Sequence, residues 1–398
     1  MTLIESGVWT RISIKYQKIL YASIIEKGWD MLCIKVADSS LTKSKREEWN
    51  NLVYKMKRPS VFCTWEWINK WNEHYGNVYE PLILFVYRND RLIGILPLAK
   101  KFENIEDCLF PVRVISYCGS NELHSDHIDI LCKEEDADQC MNAIALYFKK
   151  DYIDWDVIEL SHIPEDGRII MMKECFKSGY AVEHSKVSSA PYIYLDGTFE
   201  DYCMRMSGDR RRELRRTMRV LYGRENVKLI EYDPAEKSYG IKELFDLHNM
   251  RQNRKGVKSS FKGDNLLEYH ESIAKEFYQL GWLRLFFLCH LDKPVAAIYG
   301  YDYGGRHFGY QMGIHPEWER RSVGSVLLYE MIEYSYGKKL VEFDFLRGGE
   351  HYKGKWTENS RDLFTVHIFR SNLLGTAAKS YMNIRTSLKN KVKKLTDL

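Results

Sequence analysis

The residues best suited to acid–base chemistry lie in a glycine-broken stretch near the end of the chain, residues 344–356 (DFLRGGEHYKGKW). An apolar run precedes it, and loops that follow strands carry function more often than they carry stability. Glutamate, histidine and tyrosine can each move a proton, and a neighbouring aspartate or arginine could orient them. A surface turn with solvated charges would have a similar composition. The candidate catalytic residues are Glu350, Tyr352, Asp344 and His351, and the candidate substrate-binding residues here are Arg347 and Lys353.

A second candidate is the junction formed by residues 315–325 (HPEWERRSVGS), which follows a predicted strand and opens a predicted helix. The free N–H groups and the positive dipole end of such a helix can bind an anion. Gly324 would let a phosphate approach the backbone, and two arginines could add charged contacts. An ordinary helix start with Ser322 as N-cap is the alternative. The candidate cofactor-binding residues are Arg320, Arg321, Ser322, Val323, Gly324 and Ser325.

Two further polar sets lie on predicted helices. In residues 209–219 (DRRRELRRTMR), the arginines at 212, 215, 216 and 219 are spaced to face one side of a helix. Such a face could bind an anionic ligand or RNA, or it could be solvated and paired with carboxylates. His248 and Arg251 lie about one turn apart on another helix. We therefore add Arg212, Arg215, Arg216, His248 and Arg251 as candidate substrate-binding residues.

A short run rich in histidine and aspartate, residues 124–129 (HSDHID), could be interpreted as a metal cluster. No partner motif supports that interpretation. A strand over residues 127–131 would place His127 and Asp129 on one face and Ile128 on the other. We therefore expect no metal site.

The elements that must position these residues repeat in two halves of the chain. In the first half, the pattern predicts strands at 81–87, 92–98, 113–117 and 127–131, a helix at 136–149 and a strand at 157–160. In the second half, it predicts strands at 282–290, 294–303 and 306–314, a helix at 322–336, and strands at 341–346 and 363–369. Each half is thus a meander, a helix and further strand, which predicts an α+β fold.

Length and composition are those of a folded two-domain protein. The chain has 398 residues, 45% of them hydrophobic and 29% charged. A turn-like sequence at 188–191 (SSAP) predicts a boundary between an N-terminal domain, 1–189, and a C-terminal domain, 190–375. A basic tail helix, 376–398, follows; it could lie on a membrane surface, but a packing helix fits better.

Net charge, cysteine content and hydropathy also limit which partners and which cellular compartment we expect for the protein. A net charge of +4 is too small to imply a nucleic-acid partner. Nine scattered cysteines without a C-x-x-C pair indicate free thiols in a reducing compartment. Residues 1–18 do not read as a secretory signal, and no later run approaches the roughly 20 apolar residues of a membrane-spanning helix. We therefore expect a cytoplasmic protein that does not span a membrane.

The order of elements in the second half, three antiparallel strands, a helix start and a further strand, resembles the core of the GNAT acyltransferase superfamily. In that superfamily the pyrophosphate of acyl-CoA lies on an R/Q-x-x-G-x-G/A loop. Residues 321–326 (RSVGSV) keep the arginine and the first glycine, but Val326 replaces the final small residue. The resemblance implies two tandem GNAT-like domains, each a mixed, mostly antiparallel sheet flanked by helices.

Residues 344–356 carry a more specific resemblance, to the cellulose-biosynthesis acetyltransferase family (CelD/BcsL type), a GNAT branch related to the Fem aminoacyltransferases. It rests on the string D-x-L-R-G-x-E-x-Y-K-x-x-W and continues upstream through His248, Arg251, Phe261 and the arginine-rich helix. Through the tryptophans at 65, 67 and 71 and residues 96–98 (LPL) in the first half, it covers about residues 64–370. The resemblance implies transfer of an acyl group from acyl-CoA or acyl-carrier protein to an amine or a hydroxyl. The acceptor it implies is a small molecule or a precursor of an envelope polysaccharide or exopolysaccharide.

The expected mechanism needs no covalent enzyme intermediate and no metal. Backbone N–H groups of Gln311, Met312 and Gly313, which complete the candidate cofactor-binding set, would meet the thioester carbonyl. Glu350 is the expected base and Tyr352 the expected acid, with His351 as the competing choice for either role. Two alternatives remain: a Fem-like transferase that uses aminoacyl-tRNA, and a non-catalytic GNAT-like binding protein.

Overall fold

The fold is a mixed sheet flanked by helices, seen in a computed structural model that describes residues 22–27, 30–103, 110–236, 239–259 and 261–396. Its strands are β1 (Ala22–Lys27), β2 (Asp30–Ala37), β3 (Glu80–Arg88), β4 (Arg91–Glu103), β5 (Val112–Tyr117), β6 (Leu131–Cys132), β7 (Val157–Pro164), β8 (Ala181–Tyr194), β9 (Lys228–Glu231), β10 (Leu283–His290), β11 (Lys293–Tyr303), β12 (Arg306–Ile314), β13 (Glu342–Asp344) and β14 (Ser360–Phe369). Its helices are α1 (Ser39–Ser44), α2 (Arg46–Tyr54), α3 (Trp65–Tyr75), α4 (Ala137–Lys150), α5 (Met172–Phe176), α6 (Phe199–Arg205), α7 (Gly208–Met218), α8 (Ile241–Arg254), α9 (Asp264–Gln279), α10 (Val323–Gly337) and α11 (Leu373–Thr396). The α+β prediction is confirmed.

The two halves of the sheet have the same topology. In the first half, β2, β3, β4 and β5 form an antiparallel meander, and β5 then pairs in parallel with β7. In the second half, β9, β10, β11 and β12 are antiparallel, and β12 pairs in parallel with β13. A helix connects each parallel pair, α4 in the first half and α10 in the second. The predicted repetition of topology is therefore present.

The halves are joined by strands that cross between them. Strand β14, from the end of the chain, lies between β7 and β8, and β8 continues on to pair with β13. The turn predicted at 188–191 is wrong, because these residues form the middle of β8, where Ser188 and Pro191 pair with β14. Backbone partners thus override the turn propensity of serine and proline. The division into 1–189 and 190–375 falls inside a strand and stays a prediction.

Aromatic side chains from both halves fill one core between them. Trp67 packs edge-on against Phe62, Tyr269 and Tyr301, and all four are buried. A second core lies under α10, where the predicted apolar face is confirmed by the burial of Val323, Val326, Leu327, Met331 and Ile332.

Three other predictions differ from the structure. The strand expected at 127–131 is reduced to Leu131–Cys132, because His127 has a left-handed backbone conformation, with φ +52°. The strand expected at 341–346 ends at Asp344, since Leu346 has φ +55°. The tail helix begins at Leu373, and its first turns pack Ala378 against Val112, Val157 and Phe369.

Some predictions can be checked only within the described residues. Eight cysteines are described there, and all eight are free thiols. None of the described helices combines the length and the apolar character needed to cross a membrane. The N-terminal segment 1–18 and the last two residues of the tail lie outside the described residues.

Candidate active site

The parallel strands β12 and β13 separate after a short contact. They pair only through Arg306–Phe308 and Glu342–Asp344. Beyond Asp344 the chain follows β8 instead, since the N–H of Phe345 donates to the carbonyl of Pro191 (2.9 Å) and that of Gly348 to Ser189 (3.0 Å). From Gly309 onward, β12 therefore has no strand neighbour on this side among the described residues, and its backbone polar groups there need other partners.

A β-bulge marks the point where the strands separate. Tyr299 pairs with Gln311 and Gly300 with Gly309, which leaves Tyr310 without a partner on β11. Bulges are frequent beside active sites, where they redirect backbone and side chains. Immediately beyond the bulge, the N–H of Met312 donates to the side-chain Oε1 of Gln311 (2.9 Å). The N–H of Met312 is thus hydrogen-bonded to a side chain rather than to a neighbouring strand, and a ligand carbonyl could displace that side chain.

Gly313, the third predicted backbone donor, has a packing role. A Cβ at this position would lie 2.7 Å from the Cβ of Leu247 and 2.9 Å from the carbonyl oxygen of Leu244, both on α8. Glycine lets α8 lie directly against β12, and α8 carries the candidate residues His248 and Arg251.

Replacing Gly313 by alanine should therefore destabilise the fold. The contacts are with backbone and Cβ atoms that cannot rotate away, so α8 must move, at a cost of about 1–3 kcal/mol. Gly337→Ala, in α10, is the matched control because a Cβ there meets nothing within 4 Å. It should be neutral or stabilise by up to about 1 kcal/mol. Urea denaturation of both variants measures the difference, and equal midpoints would contradict this account of the packing.

The junction between β12 and α10 is a 3₁₀ turn (Pro316–Arg321) followed by the helix start. Ser322 occupies the N-cap position in a left-handed conformation, but its side chain makes no capping hydrogen bond. Arg321 is engaged, since it pairs with Glu225 (2.7 Å) and lies over the ring of Trp318 (4.3 Å). Arg320 is exposed. The N–H groups of Val323 and Gly324, at the start of α10, remain the anion-binding candidate, whereas the N–H of Ser325 already donates to the carbonyl of Ser322 (2.9 Å).

The structure corrects the reason given for Gly324. A Cβ there would lie 2.7 Å from Cδ1 of Ile314 and 3.0 Å from Sδ of Met312, so the missing side chain faces β12. Glycine at this position allows α10 to lie close to β12. It does not open space for a phosphate.

The loop after β13 brings several predicted residues together. Glu350 is half exposed and pairs with Lys353 (2.9 Å). Burial and the charge of Glu350 raise the pKa of Tyr352, which the charge of Arg251 opposes. Arg251 is thus close enough for its charge to act on Tyr352, and Glu350, His351 and Tyr352 are all exposed. Tyr352 remains a protonated phenol at neutral pH and can donate a proton.

Two residues of this stretch hold the loop in place instead of facing a ligand. Lys353 is buried, and its Nζ donates to the carbonyls of Arg347 (2.8 Å) and Leu346 (3.2 Å). Asp344 is fully buried between Arg361 and His127, whose Nε2 lies 3.0 Å from its Oδ2. Burial alone would raise the pKa of Asp344, but His127 and Arg361 lower it to about 2. Asp344 can therefore act only through its partners.

On α8, His248 is buried and Arg251 faces the junction. The Nδ1 of His248 lies 3.2 Å from the Ser259 hydroxyl, and burial together with Arg251 lowers the pKa of the ring to about 4. Arg251 pairs with Glu319 (3.2 Å) of the 3₁₀ turn. The helix is thus tied to the junction between β12 and α10.

The predicted arginine face of α7 is solvent-exposed. Arg212 pairs with Asp209, and Arg215, Arg216 and Arg219 are exposed. A neighbouring cleft of about 690 Å³ is lined instead by Arg205 and Arg210 and by the loop residues 354–359. Arg210, which the sequence did not single out, lies over the ring of Trp356 (4.9 Å).

Sequence reasoning missed a polar cluster from the N-terminal half that meets the loop after β13. The N–H of Arg347 donates to Asp126 (2.8 Å), and its Nη1 lies 2.7 Å from Nδ1 of His162. His124 is close enough to Arg347 for that charge to lower the pKa of its ring. Residues 124–129 were the available signal, but they were weighed only as metal ligands on a strand. His162 gave no signal.

Comparisons with known proteins agree with this geometry. Residues 208–354 match the family described as "Acetyltransferase (GNAT) domain". No curated protein matches the sequence. Among solved structures, FemX is similar with 11% identity, a TM-score of 0.57, and coverage of 80% of this chain and 95% of that chain.

Two further structures share the fold at similar distance. A conserved protein of unknown function from Bacteroides thetaiotaomicron has 10% identity and a TM-score of 0.54, over 84% of this chain and 100% of that chain. The C-terminal domain of a protein named as a lysylphosphatidylglycerol synthetase, from Agrobacterium fabrum, has 10% identity and a TM-score of 0.51, over 86% and 96%. Residues 208–354 thus match a GNAT acetyltransferase domain family, and the chain is similar in fold to FemX and to that synthetase domain.

Proposed function

We propose that this protein is an acyltransferase that moves an acyl group from a thioester donor, acyl-CoA or acyl-carrier protein, to an amine or a hydroxyl. The observation that carries the proposal is the opening between β12 and β13, with a bulge at Tyr310 and a helix start at its rim. An extended pantetheine arm could pair with the unpartnered edge of β12, as a peptide does in strand addition. The first turn of α10 and Arg320 would then receive the phosphate groups.

In the proposed reaction, the thioester carbonyl accepts the N–H of Met312 in place of the Gln311 side chain. The acceptor nitrogen or oxygen attacks this carbonyl carbon, and Glu350 removes the acceptor proton, through a water molecule if needed. The negative charge that develops on the carbonyl oxygen is stabilised by the backbone donor, which is worth roughly 3 kcal/mol. The carbon–sulfur bond then breaks, and Tyr352 protonates the departing thiolate.

For the acceptor, we propose a small molecule or a precursor of an envelope polysaccharide or exopolysaccharide. The support is the resemblance of residues 344–356 to the cellulose-biosynthesis acetyltransferases. Arg251, which lies beside both Tyr352 and Glu319, is the proposed contact on the α8 side.

A second candidate function is aminoacyl transfer from tRNA, and the exposed arginines of α7 favour it. Arg215, Arg216 and Arg219 form a cationic surface open to solvent. Against it stands the overall charge, because 55 acidic residues offset 59 lysines and arginines. A polynucleotide site needs a broad basic surface.

Binding titrations at 50 and 200 mM salt separate the two functions. A protein that contacts six or more phosphates of a polynucleotide loses roughly a thousandfold or more in affinity over this range. We expect acyl-CoA or acyl-carrier protein to bind with a much shallower salt dependence, and tRNA to bind weakly.

The control variant replaces Arg212, Arg215 and Arg216 by glutamine, which has similar helix propensity. It should leave binding of the thioester donor unchanged. Tight tRNA binding that depends steeply on salt and is lost in this variant would instead favour the aminoacyltransferase.

A further inference from the structure

Four polar residues from the two halves of the chain lie near the point where β12 and β13 separate: Arg347 contacts Asp126 and His162, and its charge reaches His124. We call His124, Asp126, His162 and Arg347 the seam cluster. Arg347 follows β13 by three residues, His162 lies in β7, and the other two lie between β5 and β6. Burial raises the pKa of Tyr310, at the bulge of β12, while the charge of Arg347 lowers it and that of Asp126 raises it. The Tyr310 hydroxyl donates to the carbonyl of Leu123 (2.6 Å). The cluster thus adjoins the part of β12 proposed to hold the reacting carbonyl.

Arg347 is fixed at three points. Its N–H donates to Oδ2 of Asp126 (2.8 Å), and its carbonyl accepts from Nζ of Lys353 (2.8 Å). Its Nη1 lies 2.7 and 2.8 Å from the two ring nitrogens of His162 and 3.5 Å from Asp126. The side chain nevertheless keeps 21% of its surface exposed. A guanidinium has five N–H donors, and neither Nε nor Nη2 donates a hydrogen bond to any residue in the described ranges.

The backbone around the cluster is strained. His124, His162 and Leu346 have φ values of +50°, +61° and +55°, and none of them is glycine. Such conformations cost about 1–3 kcal/mol each and persist where the surroundings enforce them, most often at active sites and ligand clamps. His124 and His162 belong to the seam cluster, and Leu346 directly precedes Arg347.

The charge of the cluster comes from Arg347. Burial and the arginine lower the pKa of His124 to about 4 and that of His162 to about 3, so both rings are neutral at pH 7. Each neutral ring still offers one N–H donor. Asp126 is the facing carboxylate; it is buried, burial raises its pKa against the opposing charge of Arg347, and its Oδ1 has no hydrogen-bond partner among the described residues. Asp344 is already paired with Arg361 and His127.

We infer that the seam cluster is an acceptor site that recognises an anionic oxygen group, a phosphate or a carboxylate, through the free donors of Arg347 and the rings of His124 and His162. The assignment as an acceptor site rests on the proposed function. Binding of the anion does not, because it requires no thioester donor. A guanidinium binds such groups through two parallel hydrogen bonds. The acceptor's amine or hydroxyl would then lie beside Tyr310, within reach of the thioester held on β12.

Histidine ring signals in NMR spectra of the full chain test this inference without any transfer reaction. The chain has 12 histidines, and His124→Asn and His162→Asn variants assign the two rings. We expect inorganic phosphate, acetate or both to shift the signals of His124 and His162 in a saturable titration. A response to phosphate alone identifies a phosphorylated acceptor, and a response to acetate alone identifies a carboxylate.

Variants of Arg347 supply the control. Arg347→Gln should weaken anion binding at least tenfold, and Arg347→Lys, which keeps the charge, should weaken it less. Arg88→Gln is the matched control, because Arg88 is similarly exposed (25%) and pairs with a buried carboxylate, Asp136, away from the seam. It should titrate like the wild type. The inference would be overturned if the two rings respond to neither anion, or if Arg347→Gln binds the anion as well as the wild type does. If the same sample still binds acyl-CoA, the proposed function stands.

Discussion

Replacing Arg361 by methionine should lower the free energy of unfolding by about 3–5 kcal/mol, the usual effect of removing one partner from a buried ion pair. The Arg361 side chain is 4% exposed and donates to Glu342 at 3.1 and 2.6 Å, and it also contacts Asp344. Both carboxylates are buried, so neither can recover its lost partner from water. The guanidinium also lies over the ring of Tyr192 at 4.1 Å. The pair ties β14 to β13, and so joins the two halves at the base of the opening.

Urea denaturation of Arg361→Met and of the control Arg205→Met measures this effect. Arg205 pairs with Asp196 on the surface, where both side chains are more than half exposed. Its replacement should change the free energy of unfolding by about 0–1 kcal/mol. Equal losses in the two variants would contradict a special role for the buried pair.

The same pair gives the stability a defined dependence on pH. The folded-state pKa of Asp344 is depressed to about 2 from its ordinary 3.8. Its contribution is therefore fully present above about pH 4, and it is lost as the pH falls toward 2.

The largest expected effects on activity follow Glu350→Gln and Tyr352→Phe. Each change removes a proton site at nearly constant volume, and general acid–base groups contribute about 10²- to 10⁴-fold to rate. We expect kcat to fall by at least about 100-fold in each variant, with little change in KM for the donor, because each group is proposed to act only in the transition state. The raised pKa of Tyr352 keeps the phenol protonated, as its proposed role as acid requires.

Matched controls come from the same residue types outside the candidate site. Glu358, exposed on the same loop, is changed to glutamine, and Tyr54, 70% exposed on α2, is changed to phenylalanine. Both should keep wild-type turnover of whichever donor binds. Wild-type kcat in Glu350→Gln or Tyr352→Phe would remove that residue from the proposed mechanism.

Local patterns in the sequence were enough to predict most of the framework. The pairs Asn89-Asp90 and Gly304-Gly305 both have positive φ and form the tight turns that their types predict, which fixes β3 with β4 and β11 with β12. The apolar spacing from Val323 to Ile332 likewise predicted the buried face of α10. These features depend on residues that are close together in the chain, so the local order of residue types is enough to predict them.

What the sequence could not reveal depends on contacts between distant segments. Arg347 meets His162 across 185 residues, and nothing in the local pattern around either residue records the other. Strand β8 pairs with both β14 and β13, and this pairing explains why residues 188–191, which contain serine and proline, form a strand. Gly324 shows the same limit, because its fit against Ile314 and Met312 is visible only once α10 lies on β12.

The central claim, that a thioester donor lies along the open edge of β12, is tested most directly by amide hydrogen exchange. The segments to follow are 309–314, which includes the N–H of Met312, and 320–326 at the start of α10. With acyl-CoA or acyl-carrier protein bound, the account predicts slower exchange in both segments, while residues 354–359 beside the 690 Å³ cleft keep their rate. Bound donor that leaves 309–314 unprotected, or that protects only the cleft, would contradict it.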